Sequence, residues 1–134
     1  MHKLLLVEDD QSFGYILSEY LILQGYEVSW AKSGKEALDQ LNHQIFELAI
    51  LDVMLPDTTG FELAESVKHK NAEMPFIFLS ARSLKIDKLK GYKAGAMDYI
   101  TKPVDEELLL AKICLLYTSP SPRDLSTSRM PSSA

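Results

Sequence analysis

The chain has 134 residues, 46% of them hydrophobic, the size and composition of one domain with a buried core. With 14 basic and 19 acidic side chains its formal net charge is -5, which argues against a nucleic-acid-binding surface in these residues. The single cysteine, Cys114, excludes an internal disulfide, and acidic residues cut the apolar run of MHKLLLVEDD too early for a signal peptide or membrane span, so a soluble cytoplasmic domain is expected.

A first buried strand is predicted over Lys3 to Val7, ending in three consecutive carboxylates, Glu8, Asp9 and Asp10. Phe13, Ile16, Leu17, Tyr20 and Leu21 then recur at helical spacing, and Gly25 marks the stop. Glu27 to Ala31 alternates, with Val28 and Trp30 on one face, as a second strand. After the Ser33-Gly34 turn, Ala37, Leu38 and Leu41 form the stripe of a short helix. Phe46 to Leu51 reads as a third strand, and its unbroken apolar run suits a strand covered on both faces of a parallel sheet. Asp52 stands where that run ends.

Pro56 and Gly60 bracket a loop, and Phe61, Leu63, Ala64 and Val67 make the stripe of a third helix ending near Lys70-Asn71. Phe76 to Leu79 is a fourth strand, closing at Ser80. A Lys-rich helix is predicted from Leu84 to Ala94, with Lys85, Lys88, Lys90 and Lys93 on a solvated face and Gly95 as its stop. Tyr99-Ile100 begins a brief fifth strand that Lys102-Pro103 ends. Asp105, Glu106 and Glu107 sit in the first turn of a last helix, where carboxylates suit the helix dipole, ahead of Leu108, Leu109 and Ala111. Five alternations of strand and helix imply an α/β fold with a parallel sheet, helices on both faces and right-handed connections.

From Cys114 the composition changes to CLLYTSPSPRDLSTSRMPSSA, dominated by Ser, Thr and Pro. A natural disordered linker is one reading. The preferred one is that Cys114 to Asp124 resembles the in-frame translation of a transposase-type sequencing adapter, and Ser128 to Ala134 that of its outer end. The domain is then expected over residues 1–113, its last helix cut short but running on to about residue 117 through Leu115 and Leu116. Residues 118–134 are expected to be a disordered tail of non-native character.

Strand ends one, three, four and five deliver Glu8-Asp9-Asp10, Asp52, Ser80 and Lys102 to one edge of such a sheet. Ligands in open α/β sheets bind beyond the carboxyl ends of the strands, and in a 2-1-3-4-5 order the switch point falls between strands one and three, at the acidic groups. Two like charges about 4 Å apart repel by about 4 kcal/mol at an effective dielectric of about 20. Protonation, Lys102 or a cation must offset that. Carboxylates alone select a hard cation, and a few of them with waters and a phosphate suit Mg²⁺. Zinc is disfavoured because His2, His43 and His69 are scattered and read as surface residues. A carboxylate beside Mg²⁺ and an ammonium can attack phosphorus, giving an aspartyl phosphate, with Ser80 hydrogen-bonded to a phosphoryl oxygen. Taken singly, Asp52 could merely solvate a strand end, Lys102 could face solvent and Ser80 could cap a helix.

LLLVEDD, LDVMLPDTTG, FLSAR and AGAMDYITKP, together with the strand alternation, resemble the receiver domain of a two-component response regulator over residues 3–113, in particular the N-terminal domain of winged-helix DNA-binding regulators. That resemblance implies a flavodoxin-like (βα)5 doubly wound sheet of order 2-1-3-4-5. It implies Asp52 as phosphoacceptor, Glu8 and Asp9 as the pair that holds Mg²⁺ with the backbone carbonyl of Met54, and Asp10 as a third acidic neighbour or helix cap. Ser80 matches the switch hydroxyl, Tyr99 the switch aromatic, and Lys102 the active-site lysine, followed by Pro103 through a cis bond. The implied function is a signalling switch and not an enzyme, with at most weak autodephosphorylation. A histidine kinase phosphorylates Asp52, Ser80 moves toward the phosphoryl group, Tyr99 fills the vacated space, and the helix 4–strand 5–helix 5 face changes. A homodimer on phosphorylation and a DNA-binding effector domain beyond Ile113 are implied partners; a stand-alone shuttle is the alternative.

Two departures stand out. Thr59 replaces a common Asp before the Gly, which is expected to be harmless. Met97 replaces the first Asp of Asp-Asp-Tyr, which puts a charge-paired dimer in doubt. Two other functions share part of the pattern. An Mg²⁺-dependent aspartyl phosphatase of the haloacid-dehalogenase type needs Asp-x-Asp after its first strand, and here position 54 is Met. A flavodoxin-like cofactor binder needs a Ser/Thr/Gly-rich loop where three carboxylates stand.

Overall fold

The computed structural model describes residues 2–81 and 85–118. Leu84, the expected first residue of the fourth helix, and residues 119–134 of the expected tail lie outside that range. The chain divides after Pro103 into a sheet unit and a second unit beginning at Val104.

The sheet unit alternates β1 (Lys3–Val7), α1 (Gln11–Leu23), β2 (Glu27–Ala31), α2 (Gly34–His43), β3 (Leu48–Asp52), α3 (Gly60–Lys70), β4 (Phe76–Ser80), α4 (Lys85–Lys93) and β5 (Asp98–Thr101). All four ladders are parallel and the order is β2-β1-β3-β4-β5. This is the five-stranded α/β architecture expected from the alternation. The second unit carries α5 (Glu106–Thr118), and Asp105 accepts the N–H groups of Glu107 at 3.0 Å and Leu108 at 3.3 Å. Asp105 therefore precedes the first turn as a cap instead of lying within it.

Strand side chains alternate between faces. Leu5, Val7, Ala49, Leu51, Phe76 and Phe78 form one buried face with Ala37 of α2 and Leu63, Ala64 and Val67 of α3. Leu4, Leu6, Leu48, Ile50, Ile77 and Leu79 are buried on the other. Because β1, β3 and β4 are covered on both faces, their sequences are continuous apolar runs. The edge strand β2 is only partly buried and alternates instead.

β3 and α1 also differ from expectation. β3 begins at Leu48, not Phe46, and includes Asp52, which is paired with Leu79 of β4. α1 is rotated: its buried positions are Gly14, Leu17, Ser18 and Leu21, while Ile16 is 57% exposed. The cause is Trp30, whose ring lies so close to α1 that a Cβ at position 14 would meet it at 2.4 Å. The helix turns its small residues inward to admit the indole, and small residues carry no signal in an apolar stripe. Gly25 and Gly95, which follow α1 and α4, have φ of +98° and +99°, where glycine is favoured. No helix among the described residues is long and apolar enough to cross a membrane.

Candidate functional site

Glu8 directly follows β1. Its N–H donates to the Ala31 carbonyl at 3.0 Å, and its own carbonyl accepts the Trp30 indole N–H at 2.8 Å. The main chain is thus held from the β2 side before the side chain is placed. The carboxylate is fully buried: Oε2 accepts the Asp10 N–H at 3.0 Å, and Oε1 stands 2.8 Å from Lys102 Nζ. The latter contact is an ion pair without hydrogen-bond alignment, so this buried oxygen keeps unmet accepting capacity.

Asp52 ends β3 with its carboxylate almost wholly buried. Its Oδ1 accepts the Met54 N–H at 3.1 Å and its Oδ2 accepts from Lys102 Nζ at 3.1 Å. Lys102 arrives from β5, its N–H donating to the Ser80 carbonyl at 2.8 Å, and the Lys102-Pro103 bond is cis as expected. The ammonium lies between the Glu8 and Asp52 carboxylates and 4.7 Å from the Phe13 ring centroid.

Burial, then the neighbouring Asp52, push the Glu8 carboxyl up to about 7, against the pull of Lys102 and the Asp10 N–H. Burial works against the Lys102 charge, but the Glu8 and Asp52 carboxylates outweigh it and hold that ammonium above the usual lysine range. Glu8, exposed Asp9 and Asp52 each offer an oxygen, all within 4.8 Å of one another. An all-carboxylate donor set with a buried, incompletely bonded oxygen fits a hard divalent cation.

Glu8, Asp9, Asp52 and Lys102 are therefore brought together. Asp10 is the N-cap of α1, accepting the Phe13 N–H at 3.1 Å. Ser80 is fully buried at the end of β4, one residue beyond the ladder partner of Asp52. Tyr99 lies apart from the acidic cluster. It is buried, its ring centroid 6.2 Å from that of Phe78, and a Cβ on Gly91 of α4 would meet it at 2.7 Å. Met54 is half exposed and pairs with Thr59 in an isolated bridge. His2, His43 and His69 are all exposed and outside the cluster.

Sequence reasoning missed four supporting groups. The Trp30 indole and the Phe13 ring show in the sequence only as apolar pattern. Gly60 marks a loop in the sequence, yet a Cβ there would meet the Asp52 carbonyl oxygen at 2.4 Å. Thr59 caps α3 by accepting the Glu62 N–H at 3.2 Å, and the Thr-x-x-Glu spacing could have revealed it.

Residues 4–114 match the family described as the response regulator receiver domain. The chain belongs to that family. As a receiver domain it is a signalling domain of two-component response regulators. It is 43% identical over 111 residues to the transcriptional regulatory protein RprY of Bacteroides fragilis, covering 83% of this chain and 47% of RprY. The chain thus spans about half the length of the curated relatives it matches. Among solved structures, it superposes on the non-phosphorylated HemR receiver domain of Leptospira biflexa with a TM-score of 0.84 and 35% identity, covering 92% of this chain and 100% of that one. The BeF3-activated DrrB receiver domain gives 0.81 and 36% identity, covering 87% and 97%.

Proposed function

We propose that this receiver domain is a phosphorylation switch in which Asp52 accepts a phosphoryl group from the phosphohistidine of a sensor histidine kinase. The observation that carries this is the Lys102 ammonium, 2.8 Å from Glu8 and 3.1 Å from Asp52 at the carboxyl edge of the sheet, with Asp9 beside them. An Asp52 oxygen forms the new P–O bond as the P–N bond to histidine breaks and the ring nitrogen keeps that electron pair. Lys102 neutralises charge on the phosphoryl oxygens, and Ser80 hydrogen-bonds one of them. Glu8, Asp9, Asp52 and the Met54 carbonyl would hold Mg²⁺, which supplies further positive charge at the same oxygens.

Phosphorylation then biases a two-state equilibrium through Ser80 and Tyr99 and alters the surface carried by α4 and β5. The domain turns over no substrate beyond slow loss of its own phosphoryl group. A DNA-binding effector is the proposed output, because RprY is a transcriptional regulatory protein about twice as long as the matched segment. The domain itself binds no nucleic acid and acts in the cytoplasm.

Incubation with acetyl phosphate and Mg²⁺ is expected to add one phosphoryl group by intact mass. Asp52→Asn and EDTA should each abolish it. Labelling that survives Asp52→Asn would overturn the assignment.

A further inference from the structure

The segment 53–59 leaves β3 at Asp52 and returns at α3, and it is fastened at three places. At its neck the Gly60 N–H donates to the Val53 carbonyl at 2.7 Å. In its middle Met54 and Thr59 form an antiparallel bridge. At its tip Asp57 reaches across to α2, 23 residues earlier in the chain: Oδ1 accepts the Gly34 N–H at 3.0 Å and Oδ2 accepts the Lys35 N–H at 3.0 Å.

Those two N–H groups lie in the first turn of α2, where no intrahelical acceptor exists and a carboxylate is favoured. Gly34 makes the approach possible, since a Cβ there would meet Thr58 Cγ2 at 2.5 Å. The hydrogen bonds from Gly34 and Lys35 hold the Asp57 carboxyl below its ordinary range. Yet α2 already has its own cap, Ser33, whose hydroxyl accepts the Glu36 N–H at 3.1 Å. The Asp57 bonds are therefore placed to fix the loop more than to start the helix.

We propose that Asp57 is a positioning residue for the divalent-cation site: by clamping the loop tip to α2 it sets where the Met54 main chain stands beside Asp52. The clamp depends on the Met54 carbonyl being a cation ligand, as proposed above. Met54 is joined to both ends of the loop, its N–H bonded to Asp52 Oδ1 at 3.1 Å and its strand bridge made to Thr59. Freed at the tip, the loop spreads over more conformations. The cation then binds only the fraction with the carbonyl in place, and apparent affinity falls by that fraction.

The test is an Mg²⁺ titration of the full 134-residue chain followed by the backbone amide NMR signals of Glu8, Asp9 and Asp10. Asp57→Ala is expected to weaken Mg²⁺ about threefold to tenfold, at or below the roughly 10- to 100-fold typical of groups that bond a metal ligand directly. Asp57→Asn should fall between, because its one carbonyl oxygen replaces two acceptors. Ser33→Ala removes the ordinary cap of the same helix and should lower the melting temperature while leaving the Mg²⁺ affinity unchanged. An unchanged affinity in Asp57→Ala, or an equal loss in Ser33→Ala, would overturn the clamp and leave the cation site standing. No saturable response in the unsubstituted chain would overturn both.

Discussion

Lys102 shares one ammonium between two buried carboxylates, and burial followed by the neighbouring Asp52 leaves the Glu8 carboxyl shifted upward. Its ordinary value is 4.5, and in the fold burial and then Asp52 push it up to about 7. Between those values the folded state keeps a proton that the unfolded state has released. Stability of the metal-free protein should therefore fall as pH rises through that window. Melting temperatures in EDTA across pH about 5 to about 8 measure this. The decline should flatten in Glu8→Gln, and a rise over the same range in the unsubstituted chain would contradict the assignment. Added Mg²⁺ should lessen the decline, since a cation favours the ionised carboxylate.

At the scale of elements, the start of α3 is fixed by Thr59 and Gly60 together. Thr59→Ala should cost about 1 kcal/mol in urea denaturation, the usual loss of a cap. Thr59→Asp should stay within about 0.5 kcal/mol, because Asp caps at least as well. That explains why a departure expected to be harmless from sequence is also structurally conservative. Gly60→Ala is a different case: its Cβ would meet the backbone of Asp52 and Val53, at 2.4 Å from the Asp52 oxygen and 2.9 Å from Val53 Cα. It should destabilise by about 1–3 kcal/mol and, unlike Thr59→Ala, also slow phosphoryl uptake, because the displaced backbone carries Asp52. Equal uptake in the two variants would refute the coupling.

Across the whole chain, the sheet was legible because its central strands are apolar runs that end in polar residues, and those polar residues make up the candidate site. β1 running into Glu8, β3 into Asp52 and β4 into Ser80 place three groups at one edge once the ladders are parallel. Groups acting across long sequence separations were not legible. The Trp30 indole bonded to the Glu8 carbonyl, the rotation of α1 that admits it, and Asp57 on the first turn of α2 leave no local pattern. Gly14 and Ser18 face inward as small residues, which periodicity counts as polar or blank. The fold thus follows from local composition, while the bonds that hold the site's backbone in place arise only from packing.

The most direct measurement identifies the phosphorylated side chain. After incubation with acetyl phosphate and Mg²⁺, borohydride reduces an aspartyl phosphate to homoserine, and peptide mass spectrometry reads the position. Homoserine is expected at position 52 alone, and only with Mg²⁺ present. Homoserine at position 9 or 10, or none at all with Asp52 intact, would contradict the assignment of Asp52 as the phosphoacceptor.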